Sequence, residues 1–160
     1  MWAKSSFHIH PFIIELTNNS SIAIDFLDQK FANTADIGIA FAYFDHGRTV
    51  TPEDIIGSLV KHLVQRKTNL SNELADLYSQ HAGMKTRPTY LELAKILETE
   101  SSAFTKVFVV FDALDECPCT KILGELAKLP SVRVLLTGRP HVATVVVSSL
   151  GDGISEVRIR

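Results

Sequence analysis

Three carboxylates follow an unbroken apolar run of the chain. The run Val107–Phe111 leads directly into Asp112, and Asp115 and Glu116 come shortly after it. Continuous apolar residues, mostly β-branched or aromatic, are typical of a strand buried on both faces of a parallel sheet. Such strands form the ligand-binding crevice of an open α/β sheet at their carboxyl ends, and Mg²⁺ prefers carboxylate oxygens. The pattern therefore predicts a ligand or magnesium site at Asp112.

The elements that must position these carboxylates alternate between helix and strand, which predicts an α/β fold with a mostly parallel sheet. Strands are predicted at 37–44, 107–112, 132–137 and 154–159, the last as a half-exposed edge strand. Helices are predicted at 20–31, 51–67, about 70–78, from 89 onward and 120–128, with a polar linker at 82–87. Residues 142–150 fit either class, and topology alone favours a helix.

Two helix starts are marked by capping signals. Thr51 precedes Pro52, and Thr89 stands three residues before Glu92, the spacing of a capping box. In the helix predicted at 20–31, the apolar residues recur at helical spacing and predict one apolar side. These residues are Ile22, Ala23, Phe26, Leu27 and Phe31.

Composition limits the function classes. A chain of 160 residues with 46% hydrophobic residues supports one domain with one core. The net charge is −2 and no segment concentrates basic residues, so we expect no nucleic-acid partner. The apolar cluster Phe12–Ile14 is too short for a signal peptide or a membrane span, so we expect a soluble, cytoplasmic protein without a membrane partner.

Other metal-ligand candidates are weak. Cys117 and Cys119 flank Pro118 without a second ligand pair, and His8 and His10 have no thiol or acidic neighbour. For both pairs a structural role is the favoured interpretation.

Five blocks in order carry a family resemblance: A-Y-F-D, T-P-E-D-I-I-G-S-L-V-K-H-L, R-P-T-Y-L-E-L, V-F-V-V-F-D-A-L-D-E-C and V-L-L-T-G-R-P. Over residues 20–150 the chain resembles the NACHT-type module, in particular the nephrocystin-3-like N-terminal domain, of the STAND class of P-loop NTPases found in fungal NLR-like signalling proteins. The resemblance implies a three-layer sandwich. It divides the chain into an atypical segment 1–19 and a partial NTPase domain 20–160, with a Walker B segment at 107–116 and a sensor-1 strand at 132–139.

The resemblance also implies roles for individual residues and the cofactors Mg²⁺ and ATP. Asp112 corresponds to the Walker B carboxylate that holds Mg²⁺ through water, and Asp115 and Glu116 to the acidic pair that activates the attacking water. Arg139 resembles the sensor that touches the terminal phosphate, and Thr137 would orient that sensor.

The partner motif of the Walker B segment, the phosphate-binding loop G-x-x-x-x-G-K-[ST], is absent from the sequence. Alignment of the first helix with the family places Glu15–Thr17 where Gly-Lys-Thr should stand, and Phe7–Ser20 contains neither glycine nor lysine. The central strand that precedes this loop is therefore missing or replaced. Phe12–Leu16 is the candidate replacement, limited at its start by Pro11.

Three functional hypotheses follow. The first is a fragment or degenerate NACHT-type domain that binds ATP weakly, is not an enzyme and acts through protein partners or self-association. The second is an ATP- or GTP-binding molecular switch with Mg-dependent hydrolysis. The third is an unrelated flavodoxin-like domain with Thr17–Ser21 as its phosphate loop. A truncated chain is also compatible with the missing motif.

Overall fold

Five strands and five helices make up the part of the chain that the computed structural model describes, residues 12–15, 20–44, 47, 49–113, 120–137 and 154–157. The strands are β1 (Phe12–Glu15), β2 (Ile37–Tyr43), β3 (Lys106–Asp112), β4 (Val132–Thr137) and β5 (Ile154–Val157). The helices are α1 (Ser20–Lys30), α2 (Pro52–Gln65), α3 (Asn72–Met84), α4 (Tyr90–Ser102) and α5 (Thr120–Ala127). The predicted alternation of helix and strand is confirmed, whereas the helix predicted at 142–150 lies outside the described residues.

The strands form one sheet in the order β2-β3-β4-β1-β5, and each adjacent pair is parallel. The short strand β1 lies between β4 and β5, so Phe12–Glu15 fills the central position that sequence analysis left open. The segment set apart at 1–19 thus contributes an integral strand. β5 lies at the far edge, as predicted for the last strand.

Helices cover both faces of the sheet, which gives the expected three layers. The main core lies between one face and α2, α4 and α5, and alternate strand residues point into it. From the strands it receives Ala40, Ala42, Val107, Val109, Phe111, Val132, Val134 and Leu136. From the helices it receives residues that include Ile56, Leu59, Leu63, Leu97, Ile122, Leu123 and Leu126. Burying each large aliphatic side chain contributes about 1.5–3 kcal/mol.

Helix α1 packs on the opposite face, but through a different side than the sequence predicted. Ile24 is buried and Phe31, just past the helix, stacks on Phe108 of β3 with ring centroids 5.5 Å apart. Ile22 and Phe26 are 63% and 59% exposed. The predicted apolar side was therefore wrong at these two positions, because the side of the helix that faces the sheet is set by tertiary packing.

Both predicted helix starts are confirmed. Thr51 and Thr89 each form a complete capping box, with Asp54 and Glu92 as the reciprocal acids. The linker predicted at 82–87 begins later than expected, because α3 continues to Met84. The helix α3 is capped at its C-terminal end by Lys85, whose backbone has a φ of 53° in the left-handed region.

A buried polar cluster ties three helices together. The carboxylate of Glu100 in α4 has no solvent exposure and lies 2.6 Å from Lys67 Nζ, just past the end of α2. The hydroxyl of Ser71, the N-cap of α3, donates to the same carboxylate. Glu100, Lys67 and Ser71 are named the Glu100 cluster below.

The outer edge of β2 is covered by side chains of both helical layers. Arg66, past the end of α2, pairs with Asp28 of α1 at 2.6 Å, a contact that joins the layers. His62 of α2 accepts a hydrogen bond from the backbone N–H of Phe41 at 3.3 Å. An uncovered strand edge invites pairing with another chain, and these contacts reduce that exposure. No described helix is both long and apolar enough to cross a membrane.

Candidate functional site

The carboxyl end of the sheet carries a row of residues from four strands. Tyr43 of β2 pairs in register with Asp112 of β3. Thr137 of β4, the next strand after β3 in the sheet, contacts Asp112 with its side chain. On the other side of β4, Glu15 of β1 pairs in register with Thr137. Residues distant in sequence are thus neighbours at the edge where open α/β sheets bind ligands. Tyr43, Asp112, Thr137 and Glu15 are named the carboxyl-end row below.

Thr137 fixes the position of the Asp112 carboxylate. Its hydroxyl donates to Asp112 Oδ1 at 2.6 Å, while the carbonyl of Phe111 lies farther off at 3.4 Å. A hydroxyl carries one proton, so the shorter contact decides its direction. Thr137 is only 1% exposed, and a carboxylate acceptor strengthens such a bond. The arrangement holds Asp112 in one orientation at the end of β3.

The backbone turns sharply directly after Asp112. Ala113 has a φ of 55°, in the left-handed region. This conformation costs a non-glycine residue about 1–2 kcal/mol. Strain of this kind persists where the surrounding structure fixes the backbone and is enriched at functional sites. It supports the interpretation of the carboxyl end of β3 as the candidate site.

Tyr43 provides an aromatic hydroxyl beside Asp112. Burial raises the pKa of the Tyr43 phenol, and the negative charges of Asp112, Asp25 and Asp28 raise it further. Its ring lies 5.4 Å from that of Phe41, and half of the residue is exposed. The phenol is therefore a neutral hydrogen-bonding group at neutral pH.

The structure describes two of the five predicted site residues. Asp112 and Thr137 are brought into direct contact, although Thr137 was expected to orient Arg139. Asp115, Glu116 and Arg139 lie outside the described residues. So do the two cysteines and two histidines considered as metal ligands, Cys117, Cys119, His8 and His10.

Among the described residues of this site, Asp112 is the candidate metal ligand. In the described part of the chain, no group of three or more His, Cys, Asp or Glu residues is placed to hold a metal ion. A magnesium ion bound mainly by water and phosphate oxygens needs only one or two protein carboxylates. Asp112, oriented by Thr137, fits that lesser requirement.

The phosphate side of the site does not fit the family pattern. Glu15 is the last residue of β1 and α1 begins at Ser20, so only Leu16–Asn19 connect them. The phosphate-binding pattern requires more residues than these ahead of its lysine. Glu15 is part of β1, whereas the alignment with the family had placed it in the phosphate-binding loop, at the Gly-Lys-Thr position.

Sequence analysis did not predict Tyr43 or Glu15 as site residues of the carboxyl-end row. Tyr43 was recognised only as part of a strand, although it ends that strand as Asp112 ends β3. The signal was available, because parallel strands with similar lengths bring their last residues to the same edge. The register that pairs the two residues was not readable from sequence.

Comparison with known families gives one match that covers most of the chain. Residues 17–148 match the family model described as nephrocystin 3, N-terminal. A search of curated proteins found no match.

Comparison with solved structures supports a P-loop NTPase-like α/β fold. A chain from Drosophila ORC bound to AT-rich DNA and Cdc6 aligns with a TM-score of 0.55 at 12% identity, over 92% of this chain and 47% of that chain. A chain from Drosophila ORC bound to GC-rich DNA and Cdc6 aligns with a TM-score of 0.54 at 12% identity, over 94% and 49%. A chain from Drosophila ORC bound to DNA aligns with a TM-score of 0.50 at 12% identity, over 92% of this chain and 78% of that chain. The chain thus spans about half the length of the first two, and identities this low show the fold alone.

Proposed function

The chain belongs to the nephrocystin 3 N-terminal family, and from this premise we propose that it is a degenerate NTPase-like domain. It binds nucleotide weakly and acts as an interaction module of a larger signalling protein. The observation that carries the proposal is the connection between β1 and α1, residues 16–19, which is short and contains neither glycine nor lysine.

Glycines in this position allow backbone N–H groups to surround phosphates, and the lysine offsets their charge. The residues present, Leu16–Asn19, supply no cation. Each lost charge-assisted hydrogen bond costs about 1.5–3 kcal/mol. Losing two or three of them weakens a micromolar site to about millimolar affinity or worse.

The carboxyl-end row adds charge of the wrong sign for a polyphosphate. Glu15 and Asp112 stand in this row on strands separated only by β4. Neighbouring strands are about 4.8 Å apart, so the two backbone positions lie about 10 Å from each other. Among the described residues, this row therefore offers Asp112 for Mg²⁺ but no cation for a polyphosphate.

A second candidate is a nucleotide-binding switch, and one observation favours it. Asp112, which the family resemblance assigns to the Walker B position, is oriented by Thr137 and is followed by a strained Ala113. These features support a retained magnesium half-site. The roles expected for Asp115 and Glu116 in activating water belong to this second candidate.

The remaining parts of the proposal come from the family resemblance. They are the cytoplasmic setting, the fungal NLR-like context and the protein partners. Self-association is proposed through the exposed apolar side of α1, where Ile22 and Phe26 stand one helical turn apart. The absence of a nucleic-acid partner stays a prediction from charge.

Calorimetric titration with ATP and Mg²⁺ tests the nucleotide half of the proposal. We expect no saturable heat below about millimolar ATP for the wild-type chain or for Asp112→Ala. A micromolar site that Asp112→Ala abolishes would establish the second candidate instead.

A matched variant tests the stated cause. Asn18→Gly with Asn19→Lys creates Gly-Lys-Ser directly at the start of α1. If the missing lysine and glycine are the main cause of weak ATP binding, this variant gains measurable ATP affinity. If the short connection between β1 and α1 is the main cause, the variant gains none.

Sedimentation velocity tests the interaction half. We expect concentration-dependent dimer formation for the wild type and loss of it in Ile22→Gln with Phe26→Gln, at unchanged circular dichroism. A wild-type chain that stays monomeric at all concentrations would refute self-association through α1.

A further inference from the structure

His62 lies against the outer edge of the sheet in a specific geometry. Its Nδ1 is 3.3 Å from the backbone nitrogen of Phe41, which donates the hydrogen bond. The imidazole also stacks on the Phe41 ring, with centroids 4.1 Å apart and 28° between planes. Among the described strands β2 lies at the edge of the sheet, so this N–H faces away from β3 and no described strand pairs with it.

The chemistry of the contact depends on protonation. Nδ1 accepts a hydrogen bond only when it carries no proton, so the neutral ring must hold its proton on Nε2. In the imidazolium both ring nitrogens are donors, and the Phe41 N–H would then face another N–H. We propose that His62 is a pH-sensitive acceptor that covers the sheet edge when neutral and releases the Phe41 amide when protonated.

The groups around the ring favour its neutral form near neutral pH. Burial lowers the pKa of His62 below 6.5, and the neighbouring Lys61 lowers it further. The backbone hydrogen bond with Phe41 and the charge of Asp28 act in the opposite direction without reversing the shift, and Asp28 is paired with Arg66 at 2.6 Å. Protonation of His62 is therefore expected at a lower pH than that of an exposed histidine.

Two further ionisable groups share the cleft of about 280 Å³ beside the ring. They are Tyr43 of β2 and Asp54 of α2. The phenol of Tyr43 is neutral throughout the range in which a histidine titrates. Asp54 is engaged in the capping box with Thr51. Tyr43 therefore supplies no second titration that would imitate that of His62.

Release of the Phe41 amide changes what the edge offers. An unpaired outward N–H on an edge strand can pair with an added strand, whereas a covered one cannot. The device therefore lets pH control access to this edge and operates independently of nucleotide binding.

Amide hydrogen exchange measured by NMR on the full chain tests the proposal. Between about pH 8 and about pH 5, the protection of the Phe41 amide, corrected for the intrinsic rate, should fall about fivefold. The amides of Ala40 and Ala42 alternate with Phe41 and point toward β3, so their protection should stay constant. The nitrogen chemical shifts of the wild-type His62 ring should show the Nε2–H tautomer at the upper pH.

Two variants separate the acceptor from the ring. His62→Phe keeps the stacking surface without an acceptor, so Phe41 protection should be low and independent of pH. His62→Asn offers an acceptor that does not titrate, so protection should be independent of pH and higher than in His62→Phe. Equal pH dependence in wild type and His62→Phe, or a wild-type ring protonated at Nδ1 at the upper pH, would overturn the proposal.

Discussion

Removal of one charge from the Glu100 cluster should destabilise the fold by an amount that depends on which charge remains. Glu100 is fully buried, whereas the side chain of Lys67 is 19% exposed. Breaking a buried ion pair by removing one partner costs about 3–5 kcal/mol, mostly because the remaining charge lacks compensation. The more deeply buried ion should therefore be the more costly one to leave behind.

Lys67→Met removes the ammonium but keeps the apolar stem, and it leaves Glu100 with Ser71 as its donor. We expect a loss of about 3–5 kcal/mol. Glu100→Gln leaves the partly hydrated ammonium of Lys67 and retains an amide oxygen as acceptor. We expect a smaller loss of about 2–3 kcal/mol.

Urea unfolding at about pH 7 measures both values. With a slope of about 2 kcal/mol/M, Glu100→Gln should shift the midpoint by about 1–1.5 M and Lys67→Met by more. The double variant contains neither charge and should be more stable than Lys67→Met alone. A Lys67→Met variant that is less destabilised than Glu100→Gln would refute the reasoning. The cost of leaving a charge unpaired would then not increase with its burial.

Three further predictions concern the site and the core. Thr137→Val removes the only described donor to Asp112 at nearly constant volume and should cost about 1.5–3 kcal/mol in urea unfolding; a neutral effect would show that the bond does not orient Asp112. Gly38→Ala would place a Cβ 2.9 Å from a Leu63 methyl and should cost about 1–3 kcal/mol, whereas the control Gly57→Ala meets open space within α2 and should stabilise by about 0.5–1 kcal/mol. Asp112→Asn should lower the pKa of Tyr43 in a spectrophotometric titration, although not to 10, because burial is the larger cause of the shift. Because the folded-state pKa is raised, the contribution of Tyr43 to stability is full below pH 10 and is lost as pH rises through the folded-state value.

Features coded by neighbouring residues were predictable from sequence. The capping boxes at Thr51 and Thr89 need only residues three positions apart, and both helices begin where the sequence indicated. The apolar run into Asp112 located a buried strand because strands covered on both faces are almost entirely apolar.

Features that depend on distant contacts were not predictable. The contact between Thr137 and Asp112 joins two strands and depends on register. The burial of Glu100 follows from the meeting of three helices, and nothing in its own helix distinguishes it from an exposed glutamate. Likewise, Ile22 and Phe26 have the spacing of a buried stripe, but the sheet lies on another side of α1.

The central position of β1 has a consequence for how motion spreads through the sheet. In the described part of the chain, β5 is joined to the other strands only through the four residues of β1, which are distant in sequence from both neighbours. Any opening of β1 must therefore detach β5 at the same time, while β2, β3 and β4 keep their own pairing. Because β1 runs directly into residues 16–19, a partner that pulls on that connection would act on the far edge of the sheet and leave the core intact.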